Sequence, residues 1–353
     1  MTAALDVAGN PSSIHTAGRA ARTCLERARR QVAAIFGDDG DPLDRIVFTS
    51  GGTEAVQLAV LGLAGPGAVI AVPTTEHPAV HGAAAAVRDG RVLAVTVDGR
   101  GTIDPASWAG ALAAKPALVV LGVANHELGT VADVVTLAAA ARAAGARVVL
   151  DAIAAAGKLD LAPLTAVADA IAIASAKLGG PAGVGAVWLA PGVVPALLAG
   201  GGHQERGRRP GSENLLGVVG FGAAAAAIDL GAAPAVAPRT ARLEAALAAI
   251  DGAHLHGAGA PRTGYTVNAR FDGVRGDTLV MALDLAGVDA ASGAACSSGS
   301  QAPSPVLRAL GLDDDEARGG LRLSLGTATT DAEIDAVIAL VPGLVARARA
   351  AGE

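Results

Sequence analysis

Aromatic side chains are nearly missing from this chain: Phe, Tyr and Trp together make up 2% of its 353 residues. A core without large rings has to be filled by small aliphatic side chains in close contact. The chain supplies them, being 52% hydrophobic, mostly through Ala and Val, with 47 glycines. Cysteine is as scarce. Cys24 and Cys296 lie far apart and neither has metal-type spacing, which excludes a disulfide scaffold and a cysteine metal site. Two isolated thiols fit a reducing, cytoplasmic setting. Basic residues do not dominate: 27 Lys and Arg stand against 33 Asp and Glu, for a net charge of −6. With Arg206-Gly207-Arg208-Arg209 as the one basic cluster, a nucleic-acid partner is not expected. Long apolar runs are absent too. Stretches such as 222–228 are too short for a bilayer, and no basic segment followed by an apolar one opens the chain, so no membrane association is expected. There is no internal repeat.

What is present is alternation. Residues 15–36 have helical spacing, and Ile46-Val47-Phe48 reads as a short buried strand leading into a helix at 53–65. Strand-sized apolar runs recur at 68–72, 92–97, 117–123, 148–150, 171–174 and 184–189. Alanine-rich helical segments at 78–88, 105–114 and 134–144 lie between them. Strand and helix in turn predict an α/β fold with a mainly parallel, doubly wound sheet. After Gly252 the texture changes to strands at 266–271 and 321–325 and helices at 277–285 and 331–351. The expectation is a large α/β domain over 11–252 and a smaller α+β domain over 253–353, with segment 1–10 packing near the latter. The hinge candidates are the stretch holding Pro234 and Pro238, and 257–264.

Chemistry-bearing residues fall at the ends of these strands. Lys177, in Ser175-Ala176-Lys177-Leu178-Gly179-Gly180-Pro181, closes an apolar run; a desolvated amine there would be a nucleophile for an aldehyde, and the plain alternative is an exposed turn residue. Ser50-Gly51-Gly52-Thr53 between strand and helix has the composition of a phosphate cradle, or of a capping turn. Asp151 ends a strand, where it would hold a pyridine nitrogen protonated or cap the next turn. His77 precedes Pro78 and would stack on a ring and move protons, or simply sit at the surface. Cys296 lies among Ser, Gly and Ala, an unhindered candidate nucleophile. Arg322, amid apolar strand residues, would grip a carboxylate, against simple surface alternation.

Taken in order, these segments resemble the cysteine desulfurases of the NifS/IscS type, within the pyridoxal phosphate (PLP)-dependent class V aminotransferases. The matching stretches are Asn10-Pro11-Ser12-Ser13-Ile14-His15, the SGGTE turn, EHPAV at 76–80, Glu127-Leu128-Gly129-Thr130, and Asp151 through Lys158. KLGGP at 177–181, GGHQERGRRPGSEN at 201–214, the Cys296 loop and LRLSLG at 321–326 continue the series. The resemblance implies a PLP-dependent transferase fold of type I and a homodimer. It implies PLP on Lys177, Asp151 at the ring nitrogen, and His77 over the ring. Gly52 and Thr53 would take the phosphate, with Ser212 contributed by a second subunit. Arg322 and Asn10 would lie at the substrate, L-cysteine. Cys296 would take its sulfur as a persulfide, release L-alanine, and pass the sulfur to an acceptor protein, as in iron–sulfur cluster assembly.

The chain departs from the family pattern around the cofactor. The serine and histidine that bind phosphate fall on Ala174 and Ala176, the ring-contacting glutamine falls on Ala154, and the second asparagine of Asn-Asn-Glu is His126. The family's opening strand has no counterpart before Asn10. Ser175, His126 or His203 is the polar side chain expected to take over as a cofactor contact. A C–S lyase or aminotransferase of the same fold, or a non-catalytic scaffold, are the alternative readings.

Overall fold

The computed structural model describes residues 4–7, 9–37, 41–293 and 302–352. The chain forms two compact units: Met1–Val95 with Ala106–Val123 and Asp133–Leu230, and Thr96–Pro105 with Ala124–Ala132 and Gly231–Glu353.

The first unit is built on strands β1 (Ile46–Thr49), β2 (Val69–Pro73), β3 (Arg91–Val95), β4 (Leu118–Gly122), β5 (Arg147–Asp151), β6 (Ala170–Ala174) and β7 (Gly185–Leu189). Its helices are α1 (Thr16–Ala33), α2 (Pro42–Arg45), α3 (Gly52–Ala64), α4 (Pro78–Ala85), α5 (Pro105–Ala113), α6 (Val134–Ala143) and α7 (Leu215–Ala226). The strands form one sheet in the order β1-β7-β6-β5-β4-β2-β3. β7 runs antiparallel to both its neighbours and every other pairing is parallel. The central strands are apolar through their middles because both faces are covered. On one face Ile70, Val72, Leu118, Val120 and Val149 pack against Ala55, Leu58 and Ala59 of α3 and Val80 and Ala84 of α4. On the other, Trp188 meets Phe36 with ring centroids 6.0 Å apart, and Phe48 meets Phe221 of α7 edge-on at 6.3 Å. Four of the seven aromatics are thus paired on this face.

The second unit comprises α8 (Ala233–Ala248), β8 (Ala253–His256), β9 (Thr266–Phe271), α9 (Gly276–Asp284), α10 (Pro305–Ala309), α11 (Asp314–Arg318), β10 (Leu321–Ser324) and α12 (Asp331–Gly352). Its sheet, ordered β10-β9-β8, is antiparallel throughout. Strand alternation splits it into two unlike faces. Val267, Ala269, Phe271, Leu321 and Leu323 join Leu243, Leu279, Leu283, Val341 and Leu344 in an apolar cluster. The opposite face carries His256, Asn268 and Arg322 side by side in register. The excursion 124–132 belongs to this unit: Leu128 packs with Val306, Leu307 and Leu310, and Thr130 bridges to Arg262.

The stretch holding Pro234 and Pro238 opens at the boundary between the two units, Leu230 to Gly231, and continues into helix α8, which holds both prolines. Pro234 sits in the first turn, where a missing N–H costs nothing, and Pro238 gives up one helical hydrogen bond that the surrounding packing tolerates. The 257–264 stretch is the β8–β9 connection, tied by the Thr130–Arg262 bridge. Among the described residues, no single helix is long and apolar enough to cross a membrane.

Candidate active site

In the first unit the parallel strands aim their C-terminal ends at one edge of the sheet, the edge at which α/β proteins bind ligands. Five segments meet that edge: the turn after β1, the turn after β2, Gly122 ending β4, Asp151 ending β5, and the Ser175–Leu178 turn after β6.

The turn after β1 opens α3, whose N-cap Gly51 makes no side-chain cap. The first-turn N–H groups are therefore not claimed by a capping side chain, and the helix dipole favours an anion in front of them. A Cβ on Gly52 would lie 2.6 Å from Ile153 Cδ1 and 3.3 Å from Ala174 Cβ, so a side chain there would have to displace Ile153. Thr53 is exposed. Glu54 fixes the turn: its carboxylate accepts from Ser50 N–H at 2.6 Å and pairs with Arg209 at 2.8 Å. Against the upward push of burial, that guanidinium and N–H hold Glu54 at about 2.

Asp151 is buried and its Oδ1 accepts from Ile153 N–H at 2.9 Å; burial pushes it up to about 6 against that bond. Beside it, Glu76 accepts the Gly122 N–H at 2.7 Å. Burial pushes Glu76 up to about 8; the Gly122 bond opposes this and the neighbouring Asp151 adds to it. His77 Nδ1 accepts the Ala79 N–H at 3.0 Å and caps α4. A nitrogen that accepts carries no proton, so the neutral ring holds its proton on Nε2. Burial, and then the charges of Lys177 and His81, lower the pKa of His77 and keep it neutral.

Lys177 therefore lies within electrostatic reach of His77, as expected of partners at one site. It is exposed, however, and not desolvated: β6 ends at Ala174 and the following turn carries the lysine clear of the buried strand. Ser175 is the second correction. Ala174 faces Gly52, so the next residue turns the other way, and Ser175 Oγ is buried against Gly180 and Ala224 of α7, with no hydrogen-bond partner among the described residues. It does not line the α3 cradle.

In the second unit the structure brings Arg322 and His126 together: Arg322 Nη1 donates to the His126 carbonyl at 3.0 Å. His126 Nε2 lies 3.7 Å from Oε1 of Glu127, which is fully buried. Ser304 Oγ accepts the Leu307 N–H at 3.1 Å and donates its own proton to Glu127 Oε2 at 2.6 Å. Asn268 Nδ2 donates to the Glu127 carbonyl at 3.3 Å. Burial raises the Glu127 pKa, against the pull of Ser304 and Arg322.

Asn10 is exposed and accepts the Ser12 N–H at 2.9 Å, and Ser212 is exposed ahead of α7. Cys296 lies outside the described residues. Cys24 is a free thiol on α1. Among the described residues no group of three or more His, Cys, Asp or Glu is placed to hold a metal. Sequence reasoning assigned no role to Glu76, Glu127 or Glu205. Glu205 forms a buried bidentate pair with Arg29 at 2.6 and 2.7 Å and accepts the Phe48 N–H at 2.9 Å, anchoring the 203–211 loop on β1. Each of the three glutamates lies in a stretch matching the family, and that was the available signal.

The donor set fits a phosphorylated aromatic aldehyde at its reactive end: a primary amine, a carboxylate near a buried strand end, and a neutral imidazole. At the other end the cradle offers main-chain N–H groups and a helix dipole, beside the apolar Ala174 and Ile153.

The comparisons with known proteins place the chain in a family. A cysteine desulfurase of Cereibacter sphaeroides is 40% identical over 349 residues, spanning 97% of this chain and 90% of the relative. One from Gluconacetobacter diazotrophicus is 37% identical over 352 residues, spanning 97% and 87%. A solved NifS-like protein from Rickettsia africae has the same fold, with a TM-score of 0.89 at 24% identity over 97% of this chain and 93% of that one. The family model described as aminotransferase class-V matches residues 2–337. With the fold, the strand-end cluster and this near-complete match in hand, the conclusion is that the chain belongs to the aminotransferase class-V family.

Proposed function

We propose that this protein is a PLP-dependent cysteine desulfurase. The observation that carries the reading is the gathering of Lys177, His77, Asp151 and the α3 N-terminus at one sheet edge, in a chain about 40% identical to a named desulfurase. When bound, PLP supplies an aldehyde carbon for an amine and a ring that accepts electrons from the carbon next to that amine.

Lys177 would hold the cofactor through its amine and would then move the substrate's proton. Asp151 would keep the ring nitrogen protonated. His77 would face the cofactor and donate from Nε2, its Nδ1 being engaged by Ala79. The N–H groups at Gly52 and Thr53 would hold the phosphate, with Ser212 contributed by a second copy in a homodimer. Arg322 grips the α-carboxylate of L-cysteine, with Asn10 contributing at the same subsite. His126 completes the carboxylate end rather than the phosphate end, since its carbonyl is bonded to Arg322. The Cys296 thiolate attacks the substrate's sulfur. The sulfur–carbon bond breaks, a persulfide stays on Cys296, and the carbon left behind takes a proton to give alanine. A sulfur-acceptor protein discharges the persulfide in the cytoplasm.

Incubation with PLP, L-cysteine and a thiol reductant tests the reading. The expected products are sulfide and alanine in equal amounts, with loss of turnover in Cys296→Ala. Formation of neither product would refute it, and pyruvate in place of alanine would make the protein a C–S lyase.

A further inference from the structure

Glu76 belongs to none of the roles above, yet it has the most constrained seat at the strand ends. Its carboxyl lies over Gly122, the residue of β4 that pairs in register with Asp151 of β5. A Cβ on Gly122 would fall 2.5 Å from Glu76 Oε2 and 3.1 Å from Oε1, so the absence of a side chain there leaves room for the carboxyl against the strand backbone. The turn bearing Glu76 is pinned as well: Glu76 N–H donates to the Pro73 carbonyl at 3.2 Å. No arginine or lysine forms an ion pair with Glu76 among the described residues. There its carboxyl takes the Gly122 N–H as donor, and Asp151 likewise takes the N–H of Ile153. The charged and titratable groups around this corner are Asp151 from β5, His77 and His81 from the turn and α4, and Lys177 from the turn after β6.

Two carboxyls on neighbouring segments, Asp151 buried and Glu76 half-buried, each with one N–H donor, do not both ionise readily, because like charges at short range raise each other's proton affinity. We propose that Glu76 is a positioning residue for Asp151: it stays an uncharged acid on Gly122, so that the single negative charge of the pair resides on Asp151, the carboxylate facing the ring nitrogen. The inference rests on the PLP reading for its purpose but not for its chemistry. The Glu76–Asp151 pair exists in the chain itself. The upward push on Glu76, larger than that on Asp151, agrees with this division.

Infrared spectroscopy of the full-length, cofactor-free protein in heavy water tests the chemistry directly. A protonated-carboxyl band is expected near neutral pH, lost in Glu76→Gln, and titrating at lower pH in Asp151→Asn than in the wild type. Absence of the band, its persistence in Glu76→Gln, or an unmoved midpoint in Asp151→Asn would overturn the proposal. The purpose is tested by cofactor titration followed in visible absorbance. Glu76→Gln, which keeps shape and neutrality, should hold the dissociation constant within about threefold, whereas Glu76→Ala should weaken it about tenfold by stranding the Gly122 N–H. If Glu76→Gln binds as poorly as Glu76→Ala, a charge is needed at 76 and the proposal fails. A wild-type protein that takes up no cofactor refutes the proposed function and leaves the infrared result to decide the fate of Glu76.

Discussion

The two sheets use opposite designs for placing polar chemistry. The seven-stranded sheet is apolar on both faces, and its ionisable groups stand at its edge: Asp151 at a strand end, with Glu76, His77 and Lys177 on the adjoining turns. The three-stranded sheet keeps one face apolar and lays His256, Asn268 and Arg322 across the other. A strand end leaves a side chain attached to a loop that can be tuned without disturbing the ladder. A strand face fixes each side chain by register, so neighbours hold it still. The first design suits groups that change protonation, the second a permanently charged guanidinium that has only to stay in place.

That contrast can be broken by substitution, with the largest effects at the edge. Lys177→Ala should abolish the visible absorbance of the cofactor-loaded protein and lower desulfuration by about 1,000-fold or more, read as alanine formed per minute. Glu76→Gln should act on stability through pH. In the fold Glu76 keeps its proton up to about 8, whereas an unfolded chain releases it near 4.5, so wild-type stability falls as pH rises through that window. The substitution should flatten this decline, a difference on the order of 2–4 kcal/mol on the alkaline side in cofactor-free unfolding curves. On the small sheet, Arg322→Gln should raise KM for cysteine by roughly 10–50-fold while changing kcat less, because the lost contact is made in ground and transition states alike. Asn268→Ala should cost only about 1–2 kcal/mol of stability, measured by urea unfolding, by stripping the Glu127 carbonyl of its donor. A face substitution that moved the pH profile, or an edge substitution that moved only KM, would undo the distinction.

Much of this was legible in the sequence because a parallel sheet buried on both sides must be written as short apolar runs. The run expected at 117–123 is β4, Leu118–Gly122, and the one at 171–174 lies within β6. β8 escaped because Ala-His-Leu-His alternates over only four residues and its histidines face a polar layer. The split of Ala174 from Ser175 could have been read from the two-residue period of a strand, which sends neighbours to opposite sides. The exposure of Lys177 and the burial of Glu127 and Glu205 could not. Burial of a carboxyl is set by what packs over it from distant segments, such as Arg29 with Glu205 or Ser304 with Glu127. Sequence gives the residue type; only tertiary structure gives its surroundings.

The second unit draws Glu127 and Leu128 from the middle of the chain and their partners Ser304, Val306 and Leu307 from nearly 180 positions downstream. As the polypeptide leaves the ribosome, residues 124–132 must wait for most of the remaining chain before their packing site exists. A fragment starting at Gly231 lacks that insert however it is made, so the small unit cannot be harvested whole by one cut. The two parts are separable in space but not in the gene.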